Sequence, residues 1–367
     1  MSSRKRILFV SHDPGGFNLL VPVIEAFSVD IAFDVHLLLA GAALNKYPGL
    51  DLGENTLHEI ESFPCEYFPR EFDVHQADIN RLLQKISPDA ILAGTSINSN
   101  IERFSIQYGN ETGVPTFNFI DSWVGEDIRF TSKEIEVYPS AILVCDKAME
   151  RLYQKFVTDR CKVMVTGNAH LEKLYQESKQ SLFTNKETGA DRVLFFSENL
   201  FHYDPNGKLN EMQIIQQIQE AYKSEKKITI AIRPHPLESR EHWLRFLSEA
   251  REVNRSIHLE LDDTPDVKSS IRNSVMTFGV SSMALIESSI MGKYTFSYQV
   301  GIEGDKKMLY IPFGEYGIEE KGDVAEICTL LDSPPPTVGR AEFNFKGSLE
   351  KIKNVICASV SEQTAIT

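Results

Sequence analysis

At 367 residues the chain is longer than one hydrophobic core ordinarily supports, so two domains are expected. Its composition, 42% hydrophobic and 25% charged, is that of a globular protein. The formal net charge of −14 excludes a general nucleic-acid binder, which needs a basic face to displace counterions, but leaves room for a local cationic pocket that holds a phosphate. Cys65, Cys145, Cys161, Cys328 and Cys357 are scattered without a CxxC pair, which suits reduced thiols and a cytoplasmic setting. Arg4, Lys5 and Arg6 precede an apolar run, yet Ser11-His12-Asp13 breaks it too early for a signal peptide. No apolar stretch approaches the ~18 residues of a membrane span, so any contact with an inner membrane is expected to be peripheral.

In chain order, RILFVSH predicts a strand, and 17–27 a helix with Leu19, Leu20, Val23, Ile24 and Phe27 on one stripe. VHLLLAG and CEYF read as strands, DINRLLQKI as a helix and DAILAGTS as a strand. SNIERFSIQYGNETG reads as a helix ended by glycine. PTFNFIDSW and SAILVCD are strands, AMERLYQKF a helix and KVMVTGN a strand. The polar stretch 178–191 is the expected linker. Beyond it, RVLFFSE, KKITIAIRP, IHLELD, SVMTFGV and YTFSYQ predict strands. NEMQIIQQIQEAYKS, HWLRFLSEAREV, DVKSSIRNS and ALIESSIMG predict the intervening helices, and FKGSLEKIKNVICASV a terminal one. Such alternation implies parallel sheets covered on both faces. The expected domains are 1–177, 192–342, and a C-terminal helix and tail at 343–367 that packs back on the first domain.

Ligands of open α/β sheets sit beyond the carboxyl ends of the strands, so those loops carry the functional reading. Arg233-Pro234-His235-Pro236 ends a buried strand on a stiff, cationic corner. Two prolines present His235 with little freedom to lose on binding. It can donate to a phosphate oxygen in either charge state, or merely cap a carbonyl. TFGVSSMALIESSIMGK (277–293) runs a strand into Gly279. Ser281 or Ser282 then stands at a helix N-cap, where free N–H groups suit an anion. Glu287 in that helix is placed to reach a ribose hydroxyl, or to lie in solvent. Ser197 and Asn199 in FSEN follow another strand.

In SHDPGGFN (11–18), Gly15 and Gly16 are expected to let the backbone turn tightly before the helix, and His12 or Asp13 is a candidate base. Thr95 and Ser96 in AGTSINSN offer small hydroxyls. FIDSWVGEDIRF (119–130) contributes Asp121, Glu126 and Asp127. In LDDTPDV (261–267), Asp262 and Asp263 read as a helix cap with Pro265 in the first turn rather than as metal ligands. His170 and His202 read as ordinary residues.

VTGNAHLEKL (165–174), RPHP and GVSSMALIESSIMGKYTFSYQ resemble the donor half of GT-B nucleotide-sugar enzymes. The TGN corner is similar to UDP-N-acetylglucosamine 2-epimerases. The RPHP and SS pair resembles bacterial sialyltransferases, polysialyltransferases and CDP-glycerol glycerophosphotransferases. The resemblance implies an α/β, GT-B fold of two Rossmann-like domains facing across a cleft. It implies no cofactor and no bound metal. It places His235, Ser281 and Ser282 on the phosphate of a nucleotide sugar, with Arg233 and Pro236 of the same corner as further donor-binding candidates; a CMP-linked acidic sugar of the sialic-acid or Kdo type is expected first and a UDP-sugar second. The acidic pair that those sialyltransferases carry before a glycine is absent here, which leaves the base open among Asp13, Asp121 and Glu126. The expected activity is metal-independent transfer of the sugar to a hydroxyl acceptor in surface-polysaccharide or glycan synthesis. The rivals are a hydrolysing 2-epimerase, a CDP-glycerol glycerophosphotransferase and a non-catalytic nucleotide-binding protein. The residues give neither the acceptor nor the oligomeric state.

Overall fold

The structure is a computed structural model. It describes residues 4–49, 56–58, 62–64, 72–133, 135–180, 191–198, 200, 210–235, 238–250, 253–301, 311–335 and 345–364. By their contacts they divide into two compact units, 1–173 with 345–367 and 174–344.

Unit 1 holds the strands β1 (Lys5–Ser11), β2 (Phe33–Leu39), β3 (Thr56–His58), β6 (Ala90–Ala93), β7 (Thr116–Phe119), β8 (Ala141–Val144) and β9 (Lys162–Val165). They form one parallel sheet in the order β3-β2-β1-β6-β7-β8-β9. β4 (Ser62–Pro64) and β5 (Phe72–Val74) pair antiparallel as a separate two-stranded sheet. Side chains alternate along β1. Ile7 and Phe9 join a core with Phe17, Leu20, Ile24 and Phe27 of α1 (Pro14–Ser28) and with Ile352, Ile356 and Val360 of the C-terminal helix. Leu8 and Val10 face the opposite way, among residues of α3 (Gln76–Ile86) and α4 (Ile101–Thr112). A parallel strand buried on both faces must be apolar at every position, which is why it reads as an unbroken run. The remaining helices of this unit are α2 (Gly41–Lys46), α5 (Lys147–Tyr153) and α6 (Ala169–Gln180), the last of which carries the division between the units.

Unit 2 repeats the architecture with β10 (Arg192–Phe196), β11 (Ile228–Arg233), β12 (Ile257–Leu261), β13 (Met276–Gly279), β14 (Tyr294–Tyr298) and β15 (Glu319–Lys321). The parallel order is β12-β11-β10-β13-β14-β15. Its helices are α7 (Glu211–Ala221), α8 (Arg240–Ala250), α9 (Val267–Arg272), α10 (Met283–Ile290) and α11 (Val324–Asp332). The core packs Phe195, Ile230, Ile232, Phe278 and Phe296 with Ile214 and Ile218 of α7, Trp243 and Leu247 of α8, and Ile327 and Leu331 of α11. The terminal helix α12 (Ser348–Thr364) belongs to unit 1. The Glu172 carboxylate accepts the N–H groups of Gly347 at 2.7 Å and Leu349 at 3.0 Å, filling the positive end of α12. Gly167, at φ +83°, lies so close to Ser348 that an added Cβ would stand 2.1 Å from its hydroxyl.

Several expectations shift. α1 begins at Pro14, not Phe17, because Asp13 is extended (φ −87°, ψ 148°) and Pro14 fits the first helical position. Gly15 and Gly16 therefore lie in the first helical turn and do not make a turn before it. The expected cap in 261–267 falls instead at Asp266, whose carboxylate accepts Ser269 N–H at 2.8 Å, since Asp262 is committed elsewhere. CEYF, most of the expected linker and 336–344 lie outside the described residues.

Candidate functional site

Each sheet has one place where its strand order reverses, between β1 and β6 in unit 1 and between β10 and β13 in unit 2. In open α/β sheets that crevice is where ligands bind.

In unit 1 the loop after β1 carries His12 and Asp13. The His12 ring is buried, and its Nδ1 lies 2.7 Å from Asp13 Oδ1 and 3.5 Å from Ser96 Oγ. On the other side of the ring is Gly41, where an added Cβ would come within 2.5 Å of Nε2. His12 is thus locked in place, and the partly exposed Asp13 carboxylate is the accessible group of the pair. Asp121, after β7, accepts a hydrogen bond from Arg129 Nη1 at 2.6 Å, and the same nitrogen donates to Thr95 Oγ1 at 2.6 Å. The other Asp121 oxygen lies where a Gly15 side chain would begin, 2.3 Å from a built Cβ. Gly16 lies against Gly94, with only 3.1 Å between its added Cβ and the Gly94 Cα. Close approach is the physical reason for both glycines. Glu126 is not part of this group: it sits in a 3-10 turn and pairs at 3.3 Å with Lys155, which also bonds Asp127.

Two buried residues of this edge escaped sequence reasoning. Arg129 bridges the loops after β6 and β7, and a cation following the strand-end run DSWVGEDI was its one visible signal. Glu102, in the first turn of α4, is 3% exposed. Its Oε1 accepts the His12 backbone N–H at 2.8 Å, while Oε2 has no hydrogen-bond partner among the described residues. Burial pushes the Glu102 carboxyl up to about 7; nearby His12 opposes that rise and Asp13 adds to it.

In unit 2, β11 and β13 flank β10, so the His235 corner and the serine-headed α10 share one carboxyl edge two strand spacings apart, roughly 10 Å. The dipeptide Ser197-Glu198, at the end of β10, ties them together. Ser197 Oγ donates to Glu238 Oε1 at 2.7 Å, and Glu238 Oε2 accepts the His235 N–H at 2.6 Å. Trp243 Nε1 adds a third donor to Glu238 at 3.3 Å. Burial raises the Glu238 carboxyl above its ordinary value, against the pull of these donors. Glu198 reaches the other way. It accepts N–H groups of Val280 and Ser281 at 2.7 Å each, and the Ser281 hydroxyl. Burial raises this carboxyl too, opposed by those same bonds.

The head of α10 is therefore filled from within the chain. Ser282 is the N-cap, accepting Ala284 N–H at 3.3 Å, and its own hydroxyl proton is committed to no partner among the described residues. Glu287 is buried rather than solvated. Arg233 points away from β13. Its Nη1 bonds Asp262 Oδ2 at 2.7 Å, Ser270 Oγ at 2.7 Å and the Thr264 carbonyl at 3.0 Å. Arg192 holds the other Asp262 oxygen at 2.9 Å. Burial pushes the Asp262 carboxyl up, but hydrogen bonds from Ser270, Thr264 and Arg233 outweigh it and keep the group below its ordinary value. Pro236, Asn199 and His202 lie outside the described residues. Among the described residues no three His, Cys, Asp or Glu side chains converge as a metal would require, and no helix is long and apolar enough to cross a membrane.

No protein-family model matches the sequence, and a search of curated proteins finds no match. Solved structures do match. UDP-GlcNAc 2-epimerase from Methanocaldococcus jannaschii aligns over 96% of this chain and 99% of that one, with a TM-score of 0.64 and 14% identity. The Neisseria meningitidis UDP-GlcNAc 2-epimerase bound to UDP-GlcNAc aligns over 96% and 100%, with a TM-score of 0.64 and 12% identity. UDP-N-acetylglucosamine 2-epimerase from Rickettsia bellii aligns over 98% of both chains, with a TM-score of 0.62 and 13% identity. The fold is GT-B. At these identities the likeness extends to the GT-B architecture alone. Within it, the two strand-order reversals described above are the places where a GT-B chain can present ligand-binding loops.

Proposed function

We propose that the protein is an enzyme acting on a nucleotide-linked sugar, and that it transfers the sugar to a hydroxyl acceptor. The observation that carries this reading is the Ser197-Glu198 dipeptide, which registers the His235 corner against the serine-headed α10 on one sheet edge. With the amides of Val280 and Ser281 taken by Glu198, the Ser282 hydroxyl and the imidazole of the His235 corner are the donors assigned to a nucleotide phosphate. Arg233 contributes to this site by anchoring the end of β11 on Asp262. Asp13 is the base: it takes the acceptor's hydroxyl proton, the acceptor oxygen bonds to the anomeric carbon, and the bond from that carbon to the phosphate oxygen breaks. Donors at His235 and Ser282 stabilise the charge that develops on the departing nucleotide. Asp121 is less suited to the role of base because Arg129 already holds it.

The donor class follows two leads. The RPHP and SS motifs resemble enzymes that use CMP-linked acidic sugars, while the fold neighbours are named for UDP-GlcNAc. The same neighbours favour a second reading, a hydrolysing nucleotide-sugar 2-epimerase. A thermal-shift panel of CMP, CDP, UDP and GDP separates the nucleotides, because a ligand of the native state raises the melting point by mass action. Donor incubated without acceptor separates the reactions: an epimerised free sugar marks the second reading. A protein that none of the four nucleotides stabilises refutes both.

A further inference from the structure

Glu102 has no place in the reaction just described, yet its surroundings are those of a working group. Its carboxyl is buried, with one oxygen on the His12 N–H and the other without a partner among the described residues. Beside it lies a cavity of about 10 Å³, room for a single water, also lined by Thr95, Arg103, Asn118 and Arg129. A buried, half-satisfied carboxyl is a poor device for stability, and a glutamine or an apolar side chain would serve better there. Groups of this kind concentrate at functional sites.

We propose that Glu102 is a positioning residue for the Asp13 carboxylate. It clamps the backbone of His12, and the His12 ring in turn holds Asp13 Oδ1 at 2.7 Å. Gly41 packs against the far side of that ring, so the clamp on the backbone is transmitted to the carboxylate instead of being lost in ring rotation. The charged and titratable groups around Glu102 are His12 and Asp13 on the β1 loop, Arg103 on its own helix, and Arg129 across the cavity. Ionisation of Glu102 places a second negative charge behind Asp13 and tightens the bond to the His12 amide. The clamp therefore strengthens as the pH rises through neutrality.

The role rests on the proposed function for its catalytic meaning, but its test does not depend on turnover. In the full-length protein, the His12 amide resonance is followed by NMR across neutral pH. It should show a step with a midpoint of about 7 in the wild type, and that step should be missing in Glu102→Gln, which keeps an acceptor for the amide but cannot ionise. Glu102→Leu should speed hydrogen exchange at His12 roughly tenfold or more while the interior of α4 stays protected. A wild-type His12 amide that does not titrate, or exchange at His12 unaltered in Glu102→Leu, overturns the clamp.

Turnover of UDP-GlcNAc or CMP-N-acetylneuraminic acid then reads the catalytic consequence. Glu102→Gln should lose roughly tenfold or more in kcat at neutral pH with KM unchanged, and with a flattened pH profile. An unchanged kcat and profile in a protein that turns over either sugar sinks the positioning role. Absence of turnover in the wild type counts against the proposed function, while the NMR result still decides the clamp.

Discussion

The two carboxyl edges differ in how fully they commit their carboxylates. In unit 2, Glu198 is bonded to the head of α10, Glu238 to the His235 corner and Asp262 to two arginines, so charge there braces the loops. In unit 1, Asp121 is likewise held by Arg129, but among the described residues Glu102 keeps one buried oxygen unpartnered and Asp13 meets only the His12 ring. A saturated edge is suited to holding a ligand in one geometry. An unsaturated edge keeps groups whose protonation can change, and proton transfer requires that.

The comparison can be broken most severely at Asp262. Asp262→Ala leaves Arg192 and Arg233 without their shared partner and should cost about 3–5 kcal/mol, read as a lower urea midpoint. Because this carboxyl is held below its ordinary value, the stability it confers is present above about pH 3.8. That stability should be lost as the pH falls below this value.

Glu102 should show the opposite pH sense. Its carboxyl is raised from 4.5 to about 7, so its contribution is fully present below pH 4.5 and is lost as the pH rises through 7. The total is about 3 kcal/mol, and a Glu102→Gln melting series across that range should lack the slope.

His235→Ala separates binding from folding. Turnover should fall roughly 100-fold, near 2.7 kcal/mol, with a change in melting point small by comparison. Equal activity in the purified variant rejects the phosphate role.

Gly15→Ala puts a methyl group where an Asp121 oxygen stands and should cost about 1–3 kcal/mol, because Asp121 must leave Arg129. A full wild-type melting point would show that the α1–Asp121 contact relaxes freely.

Lys155→Ala gives the smallest effect, within about 0.5 kcal/mol, since Lys155 and Asp127 are exposed and Glu126 is only partly buried. A larger loss would bring Glu126 back as part of the unit 1 site.

The strands were legible wherever burial on both faces demanded apolar runs, as in RILFVSH and TIAI. β15 was not, because an edge strand of sequence EEK has no hydrophobic signal and keeps Glu319 and Glu320 exposed. α11 carries Ile327 and Leu331 one helical turn apart, but nine residues are a weak signal beside the prolines that follow. At the site, the residues directly after strands could be named from position alone. Glu102 could not, since its partner His12 is 90 residues away in the chain. Glu198 meets Ser281 across 83 residues, and only the folded sheet brings them together. At Gly15 and Gly16, backbone freedom and close approach leave the same letter in a sequence, and only the neighbours Asp121 and Gly94 distinguish them.

The return of α12 to unit 1 bears on how the molecule is made. Ile352, Ile356 and Val360 cover the face of α1 and β1 formed by Phe9, Phe17 and Phe27, yet they are translated after the whole of unit 2. During synthesis the later unit can close its core first, while the earlier one waits with an aromatic surface uncovered. Chaperone engagement of nascent chains should therefore persist until α12 clears the ribosome.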